Sequence, residues 1–380
     1  MLNLLYDLSA TQPTPEASFH GGSEYSKYIF FEAIKRRLKF DVCLNSNFGV
    51  HPEIEEALEK HDITVNYFVN NQELKHFIEG ADYHRFYSGM PYRYEDFYFK
   101  NVKFYMTIHG LRELEMHSLK ELIPYVNNPV SKVMLLLKHL LGYNKNVQQS
   151  HNSLSKLLSI KNKHIITVSK HSLYSICNFF PDVKPDEITV CNSPLDLTKY
   201  KYENNNEGKY FLLVSGNRWI KNNYRAIKAI DALYENRQVS QIKTIVLGCN
   251  DIDFSKDVVH KDMFTFLPYV SKKELEIYFQ NAFAFIYPTL NEGFGYPPLQ
   301  AMKYEVPVLA SAISSVPEVC KQAALYFNPF SISEISNRIL QIVNDRECRA
   351  MLIKEGNYRV NTLRKEQELM LKNMVDTIFL

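Results

Sequence analysis

Short apolar runs alternate with amphipathic helical stretches along the whole sequence, and this alternation constrains the fold more than any other feature. Residues 2–6, 40–44, 63–68, 104–108, 165–168 and 188–191 have strand length and strand composition. So do residues 210–214, 244–247, 264–267, 282–287, 306–310 and 324–327. Between them apolar residues recur at three- and four-residue spacing, as in Tyr224, Ile227, Ile230, Leu233 and again in Ile332, Ile335, Ile339, Ile342. Strands that alternate with helices build parallel sheets covered by crossover helices, an α/β class. At 380 residues the chain exceeds one ordinary core, and roughly 150 residues per domain gives two or three. The polar stretch 200–209, with three consecutive Asn and a Gly, cannot build a core element and reads as a linker. It divides the sequence near residue 204 into two α/β halves.

Composition removes several classes. Apolar residues at 46% and charged residues at 23% are those of a folded globular chain, and 13 Gly with 16 Pro exclude collagen-like or low-complexity material. Lys+Arg 44 against Asp+Glu 42 leaves +2, so overall charge gives no argument for nucleic acid. Cys43, Cys177, Cys191, Cys249, Cys320 and Cys348 form no C-x-x-C pair and read as small buried groups in a reducing compartment. The opening residues 1–7 lack a basic region before their short apolar run and read as a first strand rather than a secretion signal. The apolar stretch 133–143 is interrupted by Lys138 and His139 and falls well short of the roughly 20 residues of a membrane span. A cytoplasmic protein is expected.

Charge is uneven. Residues 122–181 contain no Asp or Glu but seven Lys, a local +7 in a chain of +2. An amphipathic helix bordered by lysines lies inside this segment. Such an element favours an anionic membrane surface or a phosphorylated ligand, by about 1 kcal/mol per cation. A peripheral position at the inner face of the cell membrane is therefore part of the expectation, against the simpler reading of a solvated basic helix.

The richest string runs from Pro288 to Met302. A strand enters a turn with Gly293 and Gly295, and Pro297-Pro298 suits a helix's first turn. Amides of Gly293, Phe294, Gly295 and Tyr296 would stand at that helix N-terminus, where the dipole favours an anion. Glu292 at the strand's carboxyl end would be misplaced beside an anion unless it binds something else, such as sugar hydroxyls. In the string from Tyr210 to Asn223, a strand leads through Gly216 and Asn217 to Arg218 and Lys221, two cations able to neutralise a diphosphate. Asp251-Ile-Asp253 could hold a divalent metal, but a three-residue pattern is common by chance.

The ordered set resembles the retaining nucleotide-sugar glycosyltransferases of family 4. Its carriers are Gly21-Gly22, His109, Thr167-Val-Ser-Lys170, Asn192, residues 216–222, Pro268 and the Glu-Gly-Phe-Gly string with Val306-Pro-Val and Val316-Pro-Glu-Val. The resemblance implies a GT-B fold, two Rossmann-like domains facing across a central cleft. An N-terminal domain (1–203) would bind the acceptor, a C-terminal domain (204–362) the nucleotide sugar, and a final helix (363–380) would return to the N-terminal domain. It also implies transfer of a hexose, with a mannose-type sugar favoured, to a glycan or glycolipid acceptor such as a lipid-linked oligosaccharide or surface-polysaccharide precursor. Catalytic roles fall on His109, Glu292, Arg218 and Lys221. Donor contacts fall on Gly21, Gly22, Ser169, Gly216, Asn217, residues 293–296 and Gln300. Glu292 matches the first acid of the family's E-x7-E motif; the second falls on Gln300, an amide where the family has a carboxylate. No metal or other cofactor is expected, and the donor itself is the only small molecule called for. The rival reading is a catalytically weak partner protein of the same fold that binds nucleotide sugar.

Overall fold

The computed structural model describes residues 4–13, 21–116, 120–126, 128–201, 209–250 and 252–380. The centre of the expected linker (202–208), residues 14–20 and Asp251 of the D-x-D pattern lie outside the described residues. By contacts the chain forms two compact units: residues 1–114, 147–194 and 366–380 make the first, and 115–146 with 195–365 the second.

The chain runs β1 (Leu4–Asp7), α1 (Gly21–Lys35), β2 (Asp41–Asn45), α2 (Pro52–Lys60), β3 (Val65–Phe68), α3 (Asn71–Gly80), β4 (Arg85–Ser88) and β5 (Lys103–Ile108). It continues through α4 (Arg112–Glu115), α5 (Pro129–Leu158), β6 (Lys163–Thr167), α6 (Lys170–Phe179) and β7 (Ile188–Val190). These seven strands pair in parallel in the order β3-β2-β1-β4-β5-β6-β7. Both faces of the sheet are covered, so β1 and β5 are apolar along almost their whole length instead of alternating. Capping starts the helices: the Asn70 side chain accepts from Glu73 N–H at 3.0 Å ahead of α3.

β4 is absent from the expected strands. Arg85-Phe-Tyr-Ser88 offers only two apolar residues between polar ends, too short a run to register. Yet it is the strand beside β1, paired Leu4 to Arg85 and Asp7 to Ser88, and Phe86 and Tyr87 are fully buried.

The second unit follows with β8 (Tyr210–Leu213), α7 (Asn223–Glu235), β9 (Lys243–Leu247), β10 (Phe264–Leu267), α8 (Lys272–Asn281), β11 (Ala284–Tyr287) and α9 (Tyr296–Lys303). Then come β12 (Val308–Ser311), α10 (Val316–Cys320), β13 (Ala324–Phe327), α11 (Ile332–Asn344) and α12 (Arg346–Phe379). Its six parallel strands are ordered β10-β9-β8-β11-β12-β13. Ile335, Ile339 and Ile342 of α11 pack into one core with Ile227 and Ile230 of α7, the stripe expected from the spacing.

The contact units cut the chain at points other than the expected 1–203 and 204–362, while the final helix, expected with the first domain over 363–380, groups with the first unit from 366 onward. Residues 115–146 belong to the second unit because their side chains are anchored there. Tyr125 is buried in that core and its hydroxyl accepts from Tyr224 N–H at 3.0 Å, while Glu121 pairs with Arg225 at 3.3 Å. Residues 195–201 also join it, with Lys199 Nζ 2.6 Å from Glu305 Oε1. α12 serves both cores: Leu352 packs in the second, whereas Met374 Sδ accepts from the Tyr25 hydroxyl in the first. A continuous helix gives the sequence no break to mark that change.

Candidate functional site

Parallel α/β sheets bind ligands beyond the carboxyl ends of their strands, at the point where strand order reverses. In the second unit that point lies between β8, the first strand, and β11, the next one placed on its other side. The two motif-bearing turns leave from these two strands.

After β8 the backbone turns at Ser215 (φ 58°). Gly216 is required by space, since a Cβ there would collide with the Cys249 sulfur and press on Gly248 O. The amides of Gly216 and Asn217 donate to Leu247 O and Gly248 O, both at 2.7 Å, and the Asn217 Oδ1 accepts from the Tyr269 hydroxyl. Their N–H groups therefore shape the turn and are not available as a phosphate cradle. Arg218 stands exposed beyond them, without an ion pair among the described residues. Lys221 points inward.

The second turn is sewn to the first. Leu290 N–H donates to Ile220 O at 2.8 Å, and Asn222, in the left-handed region (φ 54°), donates through Nδ2 to Pro288 O at 2.9 Å. Glu292 closes the arrangement. Lys221 Nζ at 2.5 Å, the Tyr287 hydroxyl at 2.6 Å and the Thr289 hydroxyl at 2.7 Å all donate to its Oε1. Among the described residues no donor is bonded to Oε2. The Glu292 amide donates to Ser314 Oγ, and the Ser315 hydroxyl reaches the carbonyls of Glu292 and Phe294, each at 2.9 Å. Gly295 takes φ 99°, which a side chain would strain, and leads into α9.

Burial alone would raise the Glu292 carboxyl above its ordinary 4.5; the Lys221 ammonium and its hydrogen bond, with those of Tyr287 and Thr289, outweigh it and hold the group below that value. A depressed folded pKa stabilises the unit above the unfolded carboxyl range, and that contribution disappears as pH falls through the depressed value. Glu292→Gln is therefore expected to flatten the acid arm of the second unit's stability below pH 4.5, the ordinary carboxyl value. Urea titrations at several pH values, read by the single Trp, which lies at 219, check this.

The remaining expected residues are placed as follows. Gln300 sits half-buried in α9, and its side chain makes no hydrogen bond among the described residues. In the first unit Gly21 and Gly22 open α1, and a Cβ on Gly22 would touch Met90 Sδ at 2.5 Å. His109, just past β5, is held by its own amide on the Tyr92 hydroxyl at 3.0 Å, an edge contact with Tyr25 and Nε2 at 2.9 Å from Gly89 O. A carbonyl only accepts, so Nε2 carries the proton. The Ser169 side chain caps α6, accepting from Ser172 N–H at 3.1 Å, and is fully buried. Asp253 caps the turn at Phe254 through Ser255 N–H.

Tyr287, Thr289, Ser314 and Ser315 were missed by sequence reasoning. Tyr287 and Thr289 flank the motif and could have been found as polar atoms at a strand's carboxyl end. Ser314 and Ser315 come from the neighbouring β12 turn, and only the strand order brings them here.

The fold is GT-B. WaaG, titled a glycosyltransferase involved in lipopolysaccharide biosynthesis, superposes with TM-score 0.66 at 13% identity, covering 100% of this chain and 99% of that one. HepE of Anabaena, solved with UDP and glucose, superposes with TM-score 0.65 at 13% identity over 99% and 100% of the two chains. Residues 197–359 match the family described as "Glycosyl transferases group 1". The O-antigen chain mannosyltransferase RfbU of Salmonella typhimurium is 33% identical over 181 residues, 45% of this chain and 49% of that protein. O-antigen chain mannosyltransferase B of Escherichia coli is 38% identical over 91 residues, 24% of each. The chain spans about half the length, or less, of the curated relatives it matches. The likeness to glycosyltransferases read from the motifs is met by the family match over residues 197–359 and by relatives over about half of the chain or less, and the solved structures add the fold.

Proposed function

We propose that the chain is a retaining hexosyltransferase of family 4 that moves a mannose-type sugar from a nucleotide diphospho-sugar to a hydroxyl of a glycan or lipid-linked acceptor in surface-polysaccharide assembly. The observation that carries this is the meeting of the Arg218–Lys221 turn with the Glu292 turn at the strand-order reversal of the second unit. Arg218, Lys221 and the N-terminus of α9 supply positive potential for a departing diphosphate. Glu292 is kept ionised, with Oε2 to accept from sugar hydroxyls; Gln300 offers a ribose both a donor and an acceptor. With that charge in place no metal is invoked, and the leaving phosphate takes the acceptor's proton. The mannosyltransferase relatives support the choice of sugar, and GDP is then the expected leaving nucleotide.

Thermal-shift titration with GDP, UDP and dTDP tests the donor. One nucleotide at 100 times its dissociation constant should add about 2.7 kcal/mol to the second unit. No shift with any of the three ends the reading, and binding without turnover of the sugar nucleotide favours the partner-protein alternative.

No helix of the described residues is long and apolar enough to cross a membrane. On α5, however, Val130, Val133, Met134 and Leu137 form one stripe at helical spacing, each between 49% and 67% exposed, inside the segment that lacks acids. A stripe of that kind fits the interface of an anionic bilayer and a peripheral position on it. Co-sedimentation with anionic vesicles should fall with salt and be lost in Val133→Glu; binding indifferent to lipid charge removes this step.

A further inference from the structure

Eight non-glycine residues among those described take the left-handed backbone region. Six of them lie one or two residues past the end of a helix or helical turn, where that conformation is ordinary. The other two, Ser215 and Ser314, follow strands β8 and β12 instead. Ser215 belongs to the turn that leads to Lys221. Ser314 stands beside the Glu292 turn, and none of the roles above uses it.

At Ser314 (φ 47°) a glycine would be unstrained, whereas serine brings a Cβ close to the following carbonyl. Such strain persists where the surrounding structure over-determines it, and it gathers at functional sites. What serine offers there and glycine lacks is a hydroxyl. Its one hydrogen bond among the described residues comes from the Glu292 amide, at 2.9 Å. The next residue, Ser315, donates to Glu292 O, also at 2.9 Å. Consecutive residues of the β12 turn thus hold Glu292 at its N–H and its C=O, while Lys221, Tyr287 and Thr289 take Oε1. Among the described residues only Oε2 of its polar atoms is uncommitted. A carboxylate clamped at every other point has one direction left in which to accept.

We infer that Ser314 is a positioning residue for the donor: its hydroxyl anchors the Glu292 amide so that Oε2 meets the sugar hydroxyls, and the left-handed strain is retained for that anchor. The inference rests on the reading of Glu292 as the residue that contacts the donor sugar.

Variants of the full chain separate positioning from upkeep of the fold. Each is measured for its melting temperature and, by calorimetric titration, for its Kd with GDP and with GDP-mannose. Ser314→Gly and Ser314→Ala both lose the hydroxyl, but only alanine keeps the strain, so Ser314→Gly should melt about 2–4 °C above Ser314→Ala. Despite that gap, both should weaken GDP-mannose binding about tenfold and leave GDP binding within about threefold, because Glu292 serves the sugar and not the nucleotide. Ser314→Thr restores the hydroxyl on a β-branched residue that this backbone strains further. It should melt below the unaltered protein and yet bring the GDP-mannose Kd back to within about threefold. Since Ser314 acts through Glu292, adding Ser314→Ala to Glu292→Gln should weaken GDP-mannose binding no further. Equal weakening of both ligands, affinity that follows the melting temperature across the variants, or an additive loss in the double variant would each overturn the inference. Binding of neither ligand by the unaltered protein ends the donor reading and this inference with it. Binding of both that Ser314→Gly leaves unaltered ends the inference alone.

Discussion

Lys221→Met is expected to lower kcat by about 10²–10³-fold, measured as release of nucleoside diphosphate from the sugar nucleotide. The ammonium does two things at once in the ligand-free protein. It keeps Glu292 ionised through a 2.5 Å contact, and it bonds the Tyr287 hydroxyl at 3.1 Å, with Asn222 and Leu290 fixing the turn behind it. An ammonium carries three rotatable donors, so it can face a departing diphosphate while Glu292 retains Tyr287 and Thr289. Removing it takes positive charge from the place where negative charge grows and leaves a buried carboxylate unpaired. Glu292→Gln should also cost activity, but through contacts to the sugar, so it should raise KM for the donor more than Lys221→Met does. The double variant discriminates. Lys221→Met/Glu292→Gln removes both buried charges and should recover most of the stability lost by Lys221→Met, yet none of the turnover. Recovery of both, or a kcat within threefold of the unaltered protein, would reduce the pair to a structural ion pair.

Much of this was legible in the residues. The second unit's strands are dense apolar runs of four to six residues, so all six were readable, and so were the turns that leave β8 and β11. What the sequence withheld was lateral. Nothing along the chain states that β11 lies beside β8, and without that the Lys221–Glu292 contact cannot be inferred. Read along the chain, the cations go to the phosphates and the carboxylate to the sugar of one donor, and their direct contact stays hidden. Gly216 and Asn217 show the same limit, because their use as turn formers depends on where Gly248 arrives. In the first unit the loss was larger. β4 is short and polar at both ends, and missing it hid Ser88, Arg93 and Tyr94, which surround Asp7. Residues 115–146 were misplaced because a helical segment carries no mark of which core its side chains enter.

The helix that follows Gly295 and bears Gln300 is itself held by a buried charge pair, and removal of one partner is expected to have the largest effect on stability. Lys303 in α9 and Glu276 in α8 lie 2.7 Å apart with side chains 1% and 7% exposed. The contact is close enough for an ion pair but is not aligned as a hydrogen bond, and the rings of Tyr200 and Tyr304 flank the ammonium at 5.6 Å and 4.9 Å. Burying two charges costs about as much as their attraction returns, so the pair adds little net stability while each partner depends heavily on the other. Glu276→Leu should therefore destabilise the second unit by about 3–5 kcal/mol, because Lys303 stays buried without its counter-charge. Glu276→Leu/Lys303→Met should come back to within about 1 kcal/mol of the unaltered protein. Trp219 sits in the same unit, so its fluorescence in urea reports this transition without interference from the first. Since α9 also positions Gln300, Glu276→Leu should weaken nucleotide binding in proportion to the lost stability, and the double variant should restore it. Restored stability with nucleotide affinity still reduced would mean that the ion pair sets the angle of α9 and not merely its attachment.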